Sequence, residues 1–249
     1  MKILKWILGI ILILAIGLFI LVKIASEPMP QGTQGPAADA LANKVLAAID
    51  KPAWDTTGAV QWSFRNNNYL WDKQRNLVKV SWEDNEVLVV LNETTGKAWK
   101  NGVELTGDKA DKLVKAAWSS FCNDSFWLNA PAKVFDPGTK RSIVDLPNGN
   151  QGLLISYESG GTTPGDAYLW ILDNQGLPTS YKMWVKIIPI GGTEASWEDY
   201  KTVATGAKLS TKHKLKILGA ELDIPIANIK AGTNLNALGL ADDPFKPIL

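Results

Sequence analysis

The chain opens on an unbroken apolar run. No charge lies between Lys5 and Lys23, and as a helix residues 6–22 span about 26 Å at roughly 1.5 Å per residue. That nearly crosses a hydrocarbon core of about 30 Å, with Lys5 and Lys23 able to snorkel across the shortfall. Trp6 beside Lys5 suits the interfacial aromatic belt. A cleaved signal peptide is the competing account. It needs a small-x-small site close behind the run, and Lys23-Ile24-Ala25-Ser26-Glu27-Pro28 offers none, while Ala38-Asp39-Ala40 lies too far downstream. Residues 1–25 therefore read as an uncleaved anchor. Lys2, Lys5 and the N-terminal amine place its start in the cytoplasm.

Residues 26–36, rich in Pro, Gly and Gln, read as a short flexible linker. One domain is expected over 37–249. It opens with a helix over 37–49, with Leu41, Val45, Ala48 and Ile49 at helical spacing and Pro52 as its stop. Strand patterns follow. Val60, Trp62 and Phe64 alternate with Gln61, Ser63 and Arg65, and Val78, Val80 and Trp82 with Lys79, Ser81 and Glu83. Short Asp, Asn and Gly turns then separate 86–91, 97–99 and 103–105, the pattern of an antiparallel meander. A second helix is predicted over 108–121, where Ala110, Leu113, Val114, Ala117, Trp118 and Phe121 form one apolar stripe. Strands resume at 153–157, 168–172, 181–188, 197–204, 208–218 and 221–229. Hairpins without regular strand–helix alternation predict an α+β fold. It is one large curved antiparallel sheet of about ten strands, a half-barrel, covered by two or three helices and preceded by the transmembrane helix.

Composition narrows the chemistry. Twenty-six Lys and Arg balance 25 Asp and Glu over 249 residues, which leaves no basic field for nucleic acid. One Cys and one His exclude an internal disulfide, a multi-Cys metal site and any site built on two histidines of this chain. No Cys follows the apolar run to carry a lipid. His213 alternates onto the face of Leu215 and Ile217, away from Lys212, Lys214 and Lys216, and reads as a core residue. Cys122 reads as an inert buried thiol. Asp108 and Asp111 suit the cap and dipole of the second helix, and the Asp242-Asp243 pair reads as surface charge. The Asn92-Glu93-Thr94 and Asn123-Asp124-Ser125 tripeptides match a glycosylation pattern too common to use. With no phosphate loop, nucleophile elbow or metal-binding helix, no catalytic residue, metal ligand or cofactor is expected.

Three segments carry a family likeness. Residues 172–183, Leu-Asp-Asn-Gln-Gly-Leu-Pro-Thr-Ser-Tyr-Lys-Met, form a strand–Asp-x-x-Gly-x-Pro–strand hairpin. Residues 197–209 hold an aromatic, then Asp199-Tyr200, then Gly206-x-x-Leu209. Residues 125–138 resemble a segment of uncharacterised Bacteroidota envelope proteins. With the order helix, meander, helix, longer meander, the chain resembles the LolA/LolB/LppX lipoprotein-carrier superfamily over most of 37–230. The resemblance implies a half-barrel that holds acyl chains or other apolar ligands without catalysis; the orientation of the anchor puts that domain on the periplasmic side of the cytoplasmic membrane. The family's carriers are soluble or lipidated, whereas this chain is tethered by a helix, which favours local hand-off or sensing over long-range transport. The expected lining is Val60, Trp62, Phe64, Val80, Trp82 and Trp170 from the sheet, with Trp118 and Phe121 from the covering helix. Ordinary sheet–helix packing is the competing account for each. The expected partners are a lipid or other apolar ligand, the membrane, and an envelope protein. A protein-binding or sensory module on the same fold is the alternative function.

Tryptophan is the unusual residue, with 11 copies. Most fall on predicted strands or on the helix stripe, which points first to filling a wide concave face. Trp71 falls between two strand patterns and fits neither.

Overall fold

The computed structural model of the chain describes residues 2–160 and 162–249. Helix α1 (Lys2–Ala25) contains a stretch long and apolar enough to cross a membrane, and none of that stretch is buried. Residues 26–33, expected to be a flexible tether, lie instead along the body. Glu27 N–H donates to the Gly191 carbonyl at 2.9 Å, its carboxylate meets Lys182 at 2.6 Å, and Thr33 pairs with Ile143. A segment with little to bury still carries backbone donors and acceptors, and here they are satisfied by neighbouring strands.

Helix α2 (Pro36–Ala48) buries Ala38, Ala42 and Val45. Pro52 does not stop it; Pro52 starts the next helix, α3 (Lys51–Thr56), in whose first turn a missing N–H costs nothing. Asp50, held at φ 55°, caps α3 by accepting from Ala53 N–H. The first meander follows as β1 (Ala59–Phe64), β2 (Asn67–Asp72), β3 (Leu77–Trp82), β4 (Asn85–Val90), β5 (Thr95–Lys100) and β6 (Val103–Leu105). Helix α4 (Asp108–Asn129) runs past the expected end at Phe121 and passes into a 3-10 turn, Ala130–Lys133. The polar run Cys122 to Ser125 reads as an ending in the sequence. In the fold, Asp124 is buried and accepts from Tyr69 Oη (2.5 Å) and Asn67 Nδ2 (3.1 Å) on β2, so the helix continues over the sheet. Asp108 and Asp111 sit in its first turn, but the N-cap is Gly107 and no side chain caps it; their role is with the dipole alone.

The second half comprises β7 (Thr139–Asp145), β8 (Gln151–Tyr157), β9 (Ala167–Leu172), β10 (Pro178–Trp184), β11 (Thr193–Ser196), β12 (Glu198–Thr202), β13 (Lys208–Ile217) and β14 (Ala220–Gly232). All 14 strands form one sheet in the order β6-β5-β4-β3-β2-β1-β14-β13-β11-β10-β9-β8-β7, with β12 beside β13. The strands that exceed the expected ten include β2 and β7, whose Asn67-Asn68 and Lys140-Arg141 interrupt the apolar alternation. Trp71, unplaced from sequence, lies on β2 opposite Val60 and Val78.

Antiparallel pairing throughout leaves the sheet open, with β6 and β7 as its edges. Alternation divides it into two faces. The inner face packs against α2, α4 and the turn after α4 in one large core that includes Val45, Trp62, Val80, Val114, Phe121, Ile155 and Trp170. The outer face carries two smaller clusters. One gathers Leu70, Leu77, Leu88 and Leu235 around Phe245, and the other Leu154 and Leu169 beside Trp184.

Candidate functional site

The inner face is not filled along its whole length. Helix α4 lies on β3, β4 and β5, and further along it Phe121 stands 6.1 Å from Trp62 on β1 and 5.1 Å from Trp71 on β2, ring to ring. Over β8, β9 and β10 the second half of α4 reaches the sheet through the rings of Phe126 and Trp127, and beside them lies a cavity of about 890 Å³. That is toward the upper end of ordinary ligand sites, about 300–1,000 Å³.

Strand register decides which residues wall it. Tyr168 faces both Ile155 and Met183 across the ladders, and Tyr181 faces Trp170. One face of β8, β9 and β10 therefore presents Tyr157, Tyr168, Tyr181 and Met183, with Val185 and Ile188 beyond β10. Helix α4 answers with Phe121, Cys122, Phe126 and Trp127. The rings form a contiguous wall: Phe126 lies 4.7 Å from Tyr168, Tyr168 5.2 Å from Tyr181, and Tyr181 5.8 Å from Trp127. Behind it, Trp197 and His213 pack at 4.5 Å.

The phenols, the thiol and the imidazole here are held neutral. Burial pushes the Tyr157, Tyr168 and Tyr181 phenols well above their ordinary range, and it pushes the Cys122 thiol up to about 11. Burial lowers His213 to about 4, although its bond to the Ser196 carbonyl and the nearby Glu198 charge both pull the other way. A thiol so weakly acidic is a poor nucleophile, and a neutral phenol is a hydrogen-bond donor. Tyr157 Oη and Asn129 Oδ1 on this wall are buried without a partner, as is the indole N–H of Trp71. Each such group is costly to leave unpaired, by about 1–3 kcal/mol.

No protein-family model matches the chain, and no curated protein is significantly similar to it. Two solved structures are similar to it in outline. One is a DUF1329 family protein from Desulfovibrio piger, with 12% identity, a TM-score of 0.43, and coverage of 82% of this chain and 95% of that one. The other is described as an outer membrane lipoprotein-sorting protein domain from Vibrio parahaemolyticus, with 8% identity, a TM-score of 0.34, and coverage of 78% and 94%. At scores below 0.5, neither likeness speaks to function.

A second, more polar chamber of about 590 Å³ adjoins the first and shares Trp71, Asn129, Lys133 and Asp136 with it. Lys73 lies 3.8 Å over the Trp54 ring and donates to the Trp54 carbonyl at 2.6 Å; burial lowers it to about 8. Lys51, paired with Asp55 at 2.6 Å, stands on the same wall. Among the described residues no group of three or more His, Cys, Asp and Glu is arranged to hold a metal ion.

Of the eight residues expected to line a site, Phe121 alone lies on the wall of the larger cavity. Val60, Trp62, Phe64, Val80 and Trp170 are fully buried in the core, and Trp82 and Trp118 are half-buried against it. Trp118 donates its indole N–H to the Leu91 carbonyl at 3.2 Å. These residues lie on the expected face, mostly in the sector that α4 covers. Tyr157, Tyr168, Tyr181 and Met183 are not among the eight, although they alternate on β8, β9 and β10; the sequence does not show that a cavity remains between those strands and α4. The Asp242-Asp243 pair is also more than surface charge: Asp243 binds Arg75 through both oxygens, at 2.7 and 3.0 Å.

Proposed function

We propose that the chain is a non-catalytic binding domain, anchored in the cytoplasmic membrane by α1 and facing the periplasm, that holds one lipid-like amphiphile. The cavity between α4 and β8–β10 carries this reading. Its aromatic and aliphatic wall suits an apolar chain, and burial on folding leaves space there that no side chain fills. The unpaired Tyr157 hydroxyl and Asn129 carbonyl, next to a chamber lined by Lys51, Lys73 and Lys133, suit the polar end of the same molecule. Cys122, the thiol on the wall, is held protonated by burial with no histidine beside it in the lining, which supports the non-catalytic reading.

The test is native mass spectrometry and lipid extraction on the full chain released gently from membranes. A stoichiometric amphiphile is expected, and it should be lost in the cavity-filling variant Met183→Trp. A second filling variant, Cys122→Phe, enters from the opposite wall and guards against misfolding of the first. Protein with an empty cavity, unable to take up a long-chain fatty acid, refutes the reading. A specific protein crosslinked in place of ligand would favour a partner-binding module.

A further inference from the structure

The way the chain leaves α1 constrains how the cavity is presented. Ser26 closes the helix by donating its hydroxyl to the Val22 carbonyl at 2.7 Å, and the same oxygen accepts the Gly191 N–H at 3.3 Å. Glu27 is then held on three sides. Its N–H donates to Gly191 O, its carbonyl accepts the Trp184 indole N–H at 2.9 Å, and its carboxylate meets Lys182. The close approach depends on two glycines. A Cβ on Gly191 would come within 2.7 Å of the Trp184 ring and 3.0 Å of the Glu27 carbonyl, and one on Gly192, at φ +80°, within 2.7 Å of Glu27 Cβ.

Distances follow from the helix. Four residues separate Val22, the last of the uncharged run, from Ser26, a rise of about 6 Å. A headgroup layer is roughly 5–7 Å deep on each side of the hydrocarbon. Gly191 is therefore at the level of the headgroups if α1 spans. Ile187 is four residues from Gly191, at most about 14 Å away along the chain. Residues 185–190 are Val-Lys-Ile-Ile-Pro-Ile, and Ile187 stands 66% exposed. This loop is also the rim of the cavity, to which it contributes Val185, Ile187 and Ile188. It is fastened to the neighbouring β8–β9 connection, since Asp166 accepts from Lys186 N–H at 3.0 Å and from the Thr163 hydroxyl at 2.5 Å.

We propose that the domain rests with this rim on the bilayer, residues 185–190 dipping into the headgroup layer, so that an amphiphile passes between leaflet and cavity without crossing water. The occupant of the exposed tip at Ile187 is the lipid surface, because docking of Ser26 and Glu27 leaves it beside the end of the span. This rests on reading α1 as an uncleaved span and the cavity as a ligand site.

The test uses the full chain in phosphatidylcholine–phosphatidylglycerol vesicles, with an environment-sensitive NBD label at Ile187→Cys and, separately, at the distant edge-strand position Val103→Cys. The wild-type chain, whose thiol is half-buried, is the labelling blank. Doxyl-labelled phosphatidylcholine should quench the label at 187 several times more than the label at 103, with a blue-shifted emission at 187. Gly191→Val, which forces Glu27 off its seat, should reduce that difference while α1 stays membrane-bound. Equal quenching at both sites overturns the proposal, as does a mature chain lacking α1. A label at 187 that is shielded but unquenched overturns it in favour of a protein contact. Ligand recovered by native mass spectrometry alongside equal quenching would remove the membrane-facing mouth and leave the binding reading intact; quenching at 187 with no ligand would do the reverse.

Discussion

Lowering the pH should destabilise the domain through His213, and the size of the effect follows from its surroundings. The ring is fully buried between Trp127 and Trp197, with centroids 5.2 and 4.5 Å away. Nδ1 is 3.0 Å from the Ser196 carbonyl and so carries the proton, while Nε2 has no partner. Burial holds the folded group at about 4, against 6.5 for the free side chain. The unfolded chain thus takes up a proton first as pH falls, and stability present above the unfolded value is lost on the way down to the folded one. At about pH 5 the unfolded imidazole is almost wholly charged and the folded one about a tenth charged, a loss of about 2 kcal/mol relative to pH 7.5. For a domain of this size that is a fall of roughly 4–8 °C in Tm. Most carboxylates remain ionised at that pH, so the window isolates the histidine. Thermal unfolding of the wild type and of His213→Gln, each at the two pH values, is the assay. The variant should be less stable at neutral pH and nearly flat between the two. A wild type equally stable at both values, or a variant with the same fall, refutes the reasoning.

Two further outcomes follow from the packing. Phe245→Ala should cost about 3 kcal/mol or more, because its fully buried ring is the centre of an outer-face cluster under the Arg75 guanidinium; unchanged urea unfolding would show that the C-terminal segment contributes nothing. Cys122, with its thiol pushed up to about 11, should react slowly with a maleimide at neutral pH, and more slowly once a fatty acid is loaded; an unchanged rate would put the ligand elsewhere.

Much of the fold is legible in the sequence because alternation and turn chemistry are local. The helix stripe from Ala110 to Phe121 and the hairpin at Asp173 to Pro178 both lie where their patterns place them. At Pro52 the loss is local: Asp50, two residues before it, caps a new helix. At Asp124 and along β2 the local letters favour an ending or a loop, and a distant partner reverses the outcome: Tyr69 and Asn67 satisfy Asp124, and Trp71 packs on Phe121. The site was legible as a face and not as a place. Which sector of a curved sheet stays uncovered depends on the length and tilt of α4, and neither is encoded near the tyrosines that line the gap.

The pairing of β1 with β14 has a consequence for how this chain reaches its folded form. Ala59 sits opposite Gly232, so the first strand of the body cannot be completed until the last has emerged. The meander of β1 to β6 and the hairpins of β7 to β10 can form from neighbours alone, but the join between the two halves is among the most non-local contacts the topology allows, and such contacts are slow to form. A chain emerging N-terminus first would hold the two half-sheets unjoined until β14 had followed, α4 covering part of the first alone. The gap under α4, bordered by residues of both halves, therefore takes shape only once β14 has joined them.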